Sequence, residues 1–219
     1  MIALNTGALS SVAAIGAHCE DIMIGAGATL LQIARHNPDV VVHALVLTGA
    51  GTEREVEEKN AFAALFPHAD VRLTVADLPD GCLADHWGSV KRQLALFRRG
   101  CQPDLVLGPH RDDYHPDRHL VAELIPTEFR AHLLLGYEIV KCESDLLNPN
   151  LYVDIPTELA HQKTMLLAQC YPSQSDQTWF DNEAFLGLMR VRGVQCRARY
   201  AEAFAEKAVV SPFGVHSIN

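Results

Sequence analysis

No stretch of this 219-residue chain approaches the ~18 consecutive apolar side chains of a membrane-spanning helix, so no membrane span is expected. Residues Met1 to Ser11 carry no basic segment and no apolar segment ending in a cleavage site, so they do not read as a signal peptide. The six cysteines (Cys19, Cys82, Cys101, Cys142, Cys170 and Cys196) include no CxxC pair. They read as reduced thiols, several of them buried as small hydrophobes, in a cytoplasmic protein. Basic residues are few, 18 Lys and Arg against 27 Asp and Glu, which leaves a net charge of −9 and a pI near 5.6. That sign excludes nucleic acid or an anionic membrane as the main partner, because both demand a basic face. There is no internal repeat, low-complexity segment or linker. Gly25-Ala26-Gly27-Ala28 is not GxGxxG and no acidic residue closes the second strand, which argues against a dinucleotide site. Small residues there suit a helix packed closely on a sheet.

What is present is an alternation of two hydrophobic periods. Val12–Ala17, Val40–Leu47, Val71–Val75, Leu105–Gly108 and Tyr137–Val140 read as strands, the first, second and fourth buried on both faces. Between them, helices are predicted at about 25–35, 52–66, 85–99 and 116–132. Thr52 with Glu55 forms a capping box for the second of these, and Gly100 ends the third. The last third reads as helical, at about 157–170, 182–192 and 198–207. Right-handed crossovers turn this order into an α/β fold, a single three-layer domain over residues 1–219 with a mostly parallel, Rossmann-like sheet.

Open parallel sheets bind ligands at the carboxyl ends of their strands. The first strand ends in His18-Cys19-Glu20-Asp21 and the fourth in His110-Arg111-Asp112-Asp113-Tyr114-His115-Pro116-Asp117-Arg118-His119. A histidine and an aspartate three apart on a tight turn can reach one ion, and a nitrogen from the neighbouring loop would complete a catalytic zinc site with an open position. Glu20 could then accept a proton from water, His115 could support a developing oxyanion, and Asp117 or Asp113 could orient an imidazole. The plainer alternative is that acidic, histidine-rich loops are only solvated. His36, His43, His68, His86, His132, His161 and His216 form no cluster and read as structural or surface residues.

The run Ile15-Gly16-Ala17-His18-Cys19-Glu20-Asp21-Ile22, continued to Leu30, resembles the first motif of the PIG-L (LmbE-like) zinc deacetylases. Asp113-Tyr114-His115-Pro116-Asp117 resembles the DxHPDHR loop of that family. Ser173-Gln174, Trp179-Phe180-Asp181, Arg192-Gly193 and Tyr200–Phe204 are similar to its later segments. The resemblance implies an LmbE-like fold and metal-dependent removal of an N-acetyl group from an amino sugar or sugar conjugate. It implies His18 and Asp21 as ligands of Zn2+ (or Fe2+), Glu20 in place of the family's aspartate base, and His115 as stabiliser of the tetrahedral intermediate with Asp117 as its partner. At the third ligand position this chain has Arg118, with His119 one residue later. Three readings follow: a deacetylase with His119 as the third ligand, an amidase for another N-acyl group, or a site in which Arg118 replaces the ion in a non-catalytic binding protein. Arg118, Tyr114 and His110 are the candidate substrate contacts, Arg118 for an anion and Tyr114 for stacking on a sugar ring. Oligomeric state is not encoded legibly.

Overall fold

The computed structural model describes residues 7–206. The expectations for His216 and for Lys207 lie outside them. The order of elements is β1 (Ser11–Gly16), α1 (Asp21–His36), β2 (Val41–Thr48), α2 (Glu53–Leu65), β3 (Asp70–Leu78), α3 (Trp87–Arg99), β4 (Leu105–Pro109), α4 (Pro116–Glu128), β5 (Leu133–Tyr137), β6 (Leu151–Ile155), α5 (Thr157–Cys170), α6 (Asn182–Cys196) and β7 (Tyr200–Glu206). They form one α/β domain around a seven-stranded sheet of order β3-β2-β1-β4-β5-β7-β6. The first five strands are parallel, and β7 runs antiparallel to both β5 and β6.

Strand periodicity splits the core into two layers. Val12 and Ala14 of β1, with Val42, Ala44 and Val46 of β2, face one cluster, which α1, α2, α5 and α6 cover. Ala13, Ile15, Leu45 and Leu47 face the other, where Val90 and Leu94 of α3 meet Leu120, Val121 and Leu124 of α4. Alternate side chains of one strand therefore serve opposite layers. The chain winds outward from β1 to β2 and β3, then returns to place β4 on β1's other side. The crevice at the carboxyl ends of β1 and β4 is thus the topological switch point, where such sheets bind ligands.

Small residues on α1 are there for packing. A Cβ on Gly25 would lie 2.1 Å from the ring of Tyr137, whose hydroxyl donates to the Ile15 carbonyl at 2.7 Å. Thr52 caps α2 as expected, accepting from the Arg54 amide, while Glu55 reaches back to the amide of Gly51 instead of that of the cap residue.

Three expectations are corrected. The segment expected as a helix at 198–207 is, in its described part, a bend at 198–199 followed by β7. Tyr200-Ala201-Glu202-Ala203-Phe204 has helix-forming composition, but tertiary partners override it. Buried Glu202 accepts from the amides of Ala28 (3.0 Å) and Thr29 (2.7 Å) and pairs with buried Lys163. α4 stops at Glu128, so the apolar run Leu133–Tyr137 rather than 137–140 forms β5, in register with Leu105–Pro109. β6, hydrogen-bonded along its length to β7, was not expected at all.

Candidate active site

Two turns and one helix start build the site. After β1 the chain bends so tightly that Glu20, preceding α1, takes a left-handed conformation at φ 73°. A non-glycine residue held there is strained, and such strain collects at functional sites. The bend is held from inside: Oδ2 of Asp21 accepts the amides of Ala17 (3.1 Å) and His18 (3.0 Å). After β4, Asp113 accepts the His115 amide at 2.8 Å, and Pro116 opens α4 at its first turn, where proline lacks no needed donor.

His18 joins the two turns. Its Nε2 lies 3.1 Å from Oδ2 of Asp117 and 3.1 Å from Oδ1 of Asp80, and its ring meets that of His115 edge-on at 4.7 Å. Asp117 is fixed in turn by the amides of Gly81 (2.8 Å) and Leu83 (2.9 Å), which tie the loop after β3 to the start of α4. The Asp117 carboxylate therefore serves the His18 ring, whereas the His115 ring takes the Asp117 amide: Nδ1 accepts it at 3.3 Å. In a neutral imidazole that assigns the proton to Nε2, leaving a donor. His115 is kept neutral by burial, helped by the charges of His18 and Arg118, which hold its pKa below that of free imidazole.

The neighbouring carboxylates Glu20 and Asp21 are driven apart. Burial pushes Glu20 up to about 8, with Arg54 working against the rise and Asp21 adding to it. For Asp21, burial also acts to raise the pKa, but Arg118 and then His18 overturn it and hold the group well below the usual carboxylate range. Burial opposes protonation of His18 as well, and there Asp21, Asp117 and Asp80 prevail and raise its pKa. Glu20 is paired with Arg54, and its amide donates to Glu58 at 2.8 Å.

Because α4 begins at Pro116, Arg118 and His119 are both helical, and consecutive side chains diverge by about 100°. Arg118 points inward. It is 5% exposed; its Nε donates to Oδ1 of Asp21 at 2.9 Å, and its Nη2 lies 2.8 Å from the same oxygen as an ion pair. His119 points outward: its ring is 48% exposed, and Nδ1 sits 2.7 Å from the Arg111 carbonyl. The structure thus brings together His18, Glu20, Asp21, His115, Asp117 and Arg118, and leaves His119 outside. Tyr114 is 69% exposed. Tyr171 is buried, with its hydroxyl donating to Glu58 at 2.6 Å. His110 is buried in a separate polar group with Asp113 and Asp145, near Lys141.

The ion implied by the resemblance does not fit His18, Asp21 and His119. Both oxygens of Asp21 are occupied: Oδ2 accepts two backbone amides, and Oδ1 accepts Arg118 Nε with the cationic Nη2 beside it at 2.8 Å, which leaves no place for a second cation. The donor groups able to hold a cation among the described residues are His18–His115–Asp117 and His110–Asp113–Asp145, neither of which contains Asp21 or His119.

Arg54, Glu58 and Asp80 were missed by sequence reasoning. The signal available was position: Arg54 and Asp80 follow β2 and β3 at the same carboxyl edge of the sheet.

The profile of the GlcNAc-PI de-N-acetylase family, PIG-L, matches residues 13–127, more than half of the chain. The chain belongs to the PIG-L family. Its fold is shared with solved structures of low sequence identity. The conserved protein TT1542 from Thermus thermophilus is 24% identical, with a TM-score of 0.73 over 94% of this chain and 99% of that one. The N,N'-diacetylchitobiose deacetylase of Pyrococcus horikoshii is 20% identical, with a TM-score of 0.68 over 94% and 88%. GalB, the 4-carboxy-2-hydroxymuconate hydratase of Pseudomonas putida KT2440, is also 20% identical, at 0.72 over 96% and 100%. At these identities the likeness speaks for the PIG-L fold alone, and the chemistry has to be argued from the site.

Proposed function

We propose that this PIG-L protein is a de-N-acetylase-type hydrolase acting on a small N-acetylated sugar or sugar conjugate. The observation that carries the reading is the junction at His18, where the turn holding Glu20 meets the helix start holding His115. Family membership supports the reaction class, and the placement at the β1–β4 switch point supports a small-molecule substrate.

The proposed chemistry uses this chain's own groups. Glu20, buried and raised toward neutral pH, takes a proton from a water as its oxygen attacks the acetyl carbonyl. The carbonyl oxygen becomes an oxyanion, to which the Nε2–H of neutral His115 donates. Collapse breaks the C–N bond, and Glu20 returns the proton to the leaving amine, giving acetate and a free amino sugar. Asp117 positions both histidines, its carboxylate on one ring and its amide on the other. Exposed Tyr114 offers an aromatic face to a sugar ring at the rim of the site.

The experiment is amine release from a panel of N-acetylglucosamine derivatives, including chitobiose and an inositol-linked form. Wild type is expected to release amine from at least one, with Glu20→Gln and His115→Ala each slower by about 10²-fold or more. Equal rates in wild type and Glu20→Gln would remove Glu20 from the chemistry.

A further inference from the structure

We infer that the guanidinium of Arg118 stands permanently in the place of the family's ion, so that Asp21 ligates no metal in this chain. Everything else about that corner keeps the form of a metal site. His18 presents Nδ1 toward Asp21, at 3.5 Å, and has its other ring nitrogen on the Asp117 carboxylate, as metal-binding histidines do. Asp21 is fully buried and its turn is pinned by two amides. Of the ligand positions, the one out of pattern is residue 118. Its Nε donates to Oδ1 of Asp21 and its Nη2 lies 2.8 Å from the same oxygen, and guanidinium cannot shed its proton to make way. Arg118 is also held by its helix, since Leu120, Val121 and Leu124 are packed in the core under α4. Exposed His119, one residue on, is turned away and cannot compensate.

The consequence rests on the hydrolase reading. A guanidinium neutralises Asp21 but has no open coordination position and does not acidify a water, as an ion would. Removing the proton from the attacking water then falls to Glu20, with no help from an ion on Asp21.

The test reads metal content, so it is independent of whether any substrate has been found. Wild type, Asp21→Asn, Arg118→His and the double variant Arg118→His/Asp21→Asn are supplied with zinc, washed with a chelator and assayed by mass spectrometry, with circular dichroism to confirm folding. The quantity compared is the zinc that Asp21→Asn removes. In wild type that difference should be nil; in Arg118→His it should be about one equivalent, because a histidine at 118 restores two imidazoles and a carboxylate. One equivalent in wild type that Asp21→Asn releases would overturn the inference, and so would a folded Arg118→His protein that gains none. Should Arg118→His fail to fold, the wild-type comparison with Asp21→Asn decides alone. A wild-type hydrolase whose rate survives the chelator wash agrees with the inference. A folded, inactive wild type without Asp21-dependent zinc would instead count against the hydrolase reading only.

Discussion

Replacing Arg118 by Met keeps most of the side chain's length and apolar volume but removes the guanidinium. Oδ1 of Asp21 then loses the Nε donor at 2.9 Å and the ion-pair contact to Nη2 at 2.8 Å, and the carboxylate stays fully buried with the amides of Ala17 and His18. The lost charge-assisted hydrogen bond contributes about 1.5–3 kcal/mol by itself. Breaking one partner out of a buried pair costs about 3–5 kcal/mol in all, the stranded carboxylate included, so about 4 kcal/mol is expected. For a chain of this size that is a fall in Tm of about 8–16 °C. The Asp21→Asn/Arg118→Met double variant should recover about 2 kcal/mol relative to the sum of the singles, since a neutral amide leaves no buried charge behind. The pH dependence has a definite sign. Asp21 is held below its unfolded pKa of ~3.9, so its contribution is complete above that value and is lost as pH falls through the depressed folded pKa. The wild-type advantage over Arg118→Met should therefore be full at neutral pH and shrink in acid. Urea unfolding of the four proteins at pH 7 and in acid is the assay. A single variant within about 1 kcal/mol of wild type, or strictly additive singles, would refute the reasoning.

Three other outcomes are expected. If ionised Glu20 is the base, kcat/KM should climb with pH and reach half its plateau near pH 8, and a flat profile from pH 6 to 9 would reject that role. Glu202→Ala leaves Lys163 buried and unpaired, so it should cost about 3–5 kcal/mol in denaturant unfolding; a loss under about 1 kcal/mol would show that the pair does not hold β7 in place. Gly25→Ala puts a methyl 2.1 Å from the Tyr137 ring, whose hydroxyl is anchored, and should destabilise by about 2 kcal/mol despite alanine's better helix propensity, with an unchanged or raised Tm as the contrary result.

Much of the fold was legible because β1, β2 and β4 are buried on both faces and so read as short, continuous apolar runs between helical segments. The end of the chain was not, because Tyr200–Glu206 carries alanine and glutamate that favour a helix in isolation. Its strand state depends on Lys163 and the amides of α1, dozens of residues or more away in sequence. The site was legible through its two strand-end clusters, and the resemblance to the family's motif singled out residues 118 and 119. Choosing between them required knowing that α4 already starts at Pro116, which fixes their divergence. Arg54, Glu58 and Asp80 were hidden for a simpler reason. Each lies outside those clusters, and only the parallel pairing of β1, β2 and β3 brings the start of α2 and the loop after β3 to His18 and Glu20.

The most direct measurement of the proposed hydrolase is turnover of the N-acetyl sugar panel in water enriched in 18O, followed by mass analysis of both products. Attack of water on the acetyl carbonyl predicts acetate carrying one heavy oxygen and an amino sugar carrying none. No acetate from any member, or heavy oxygen retained in the sugar product as a hydration would leave it, would contradict the account.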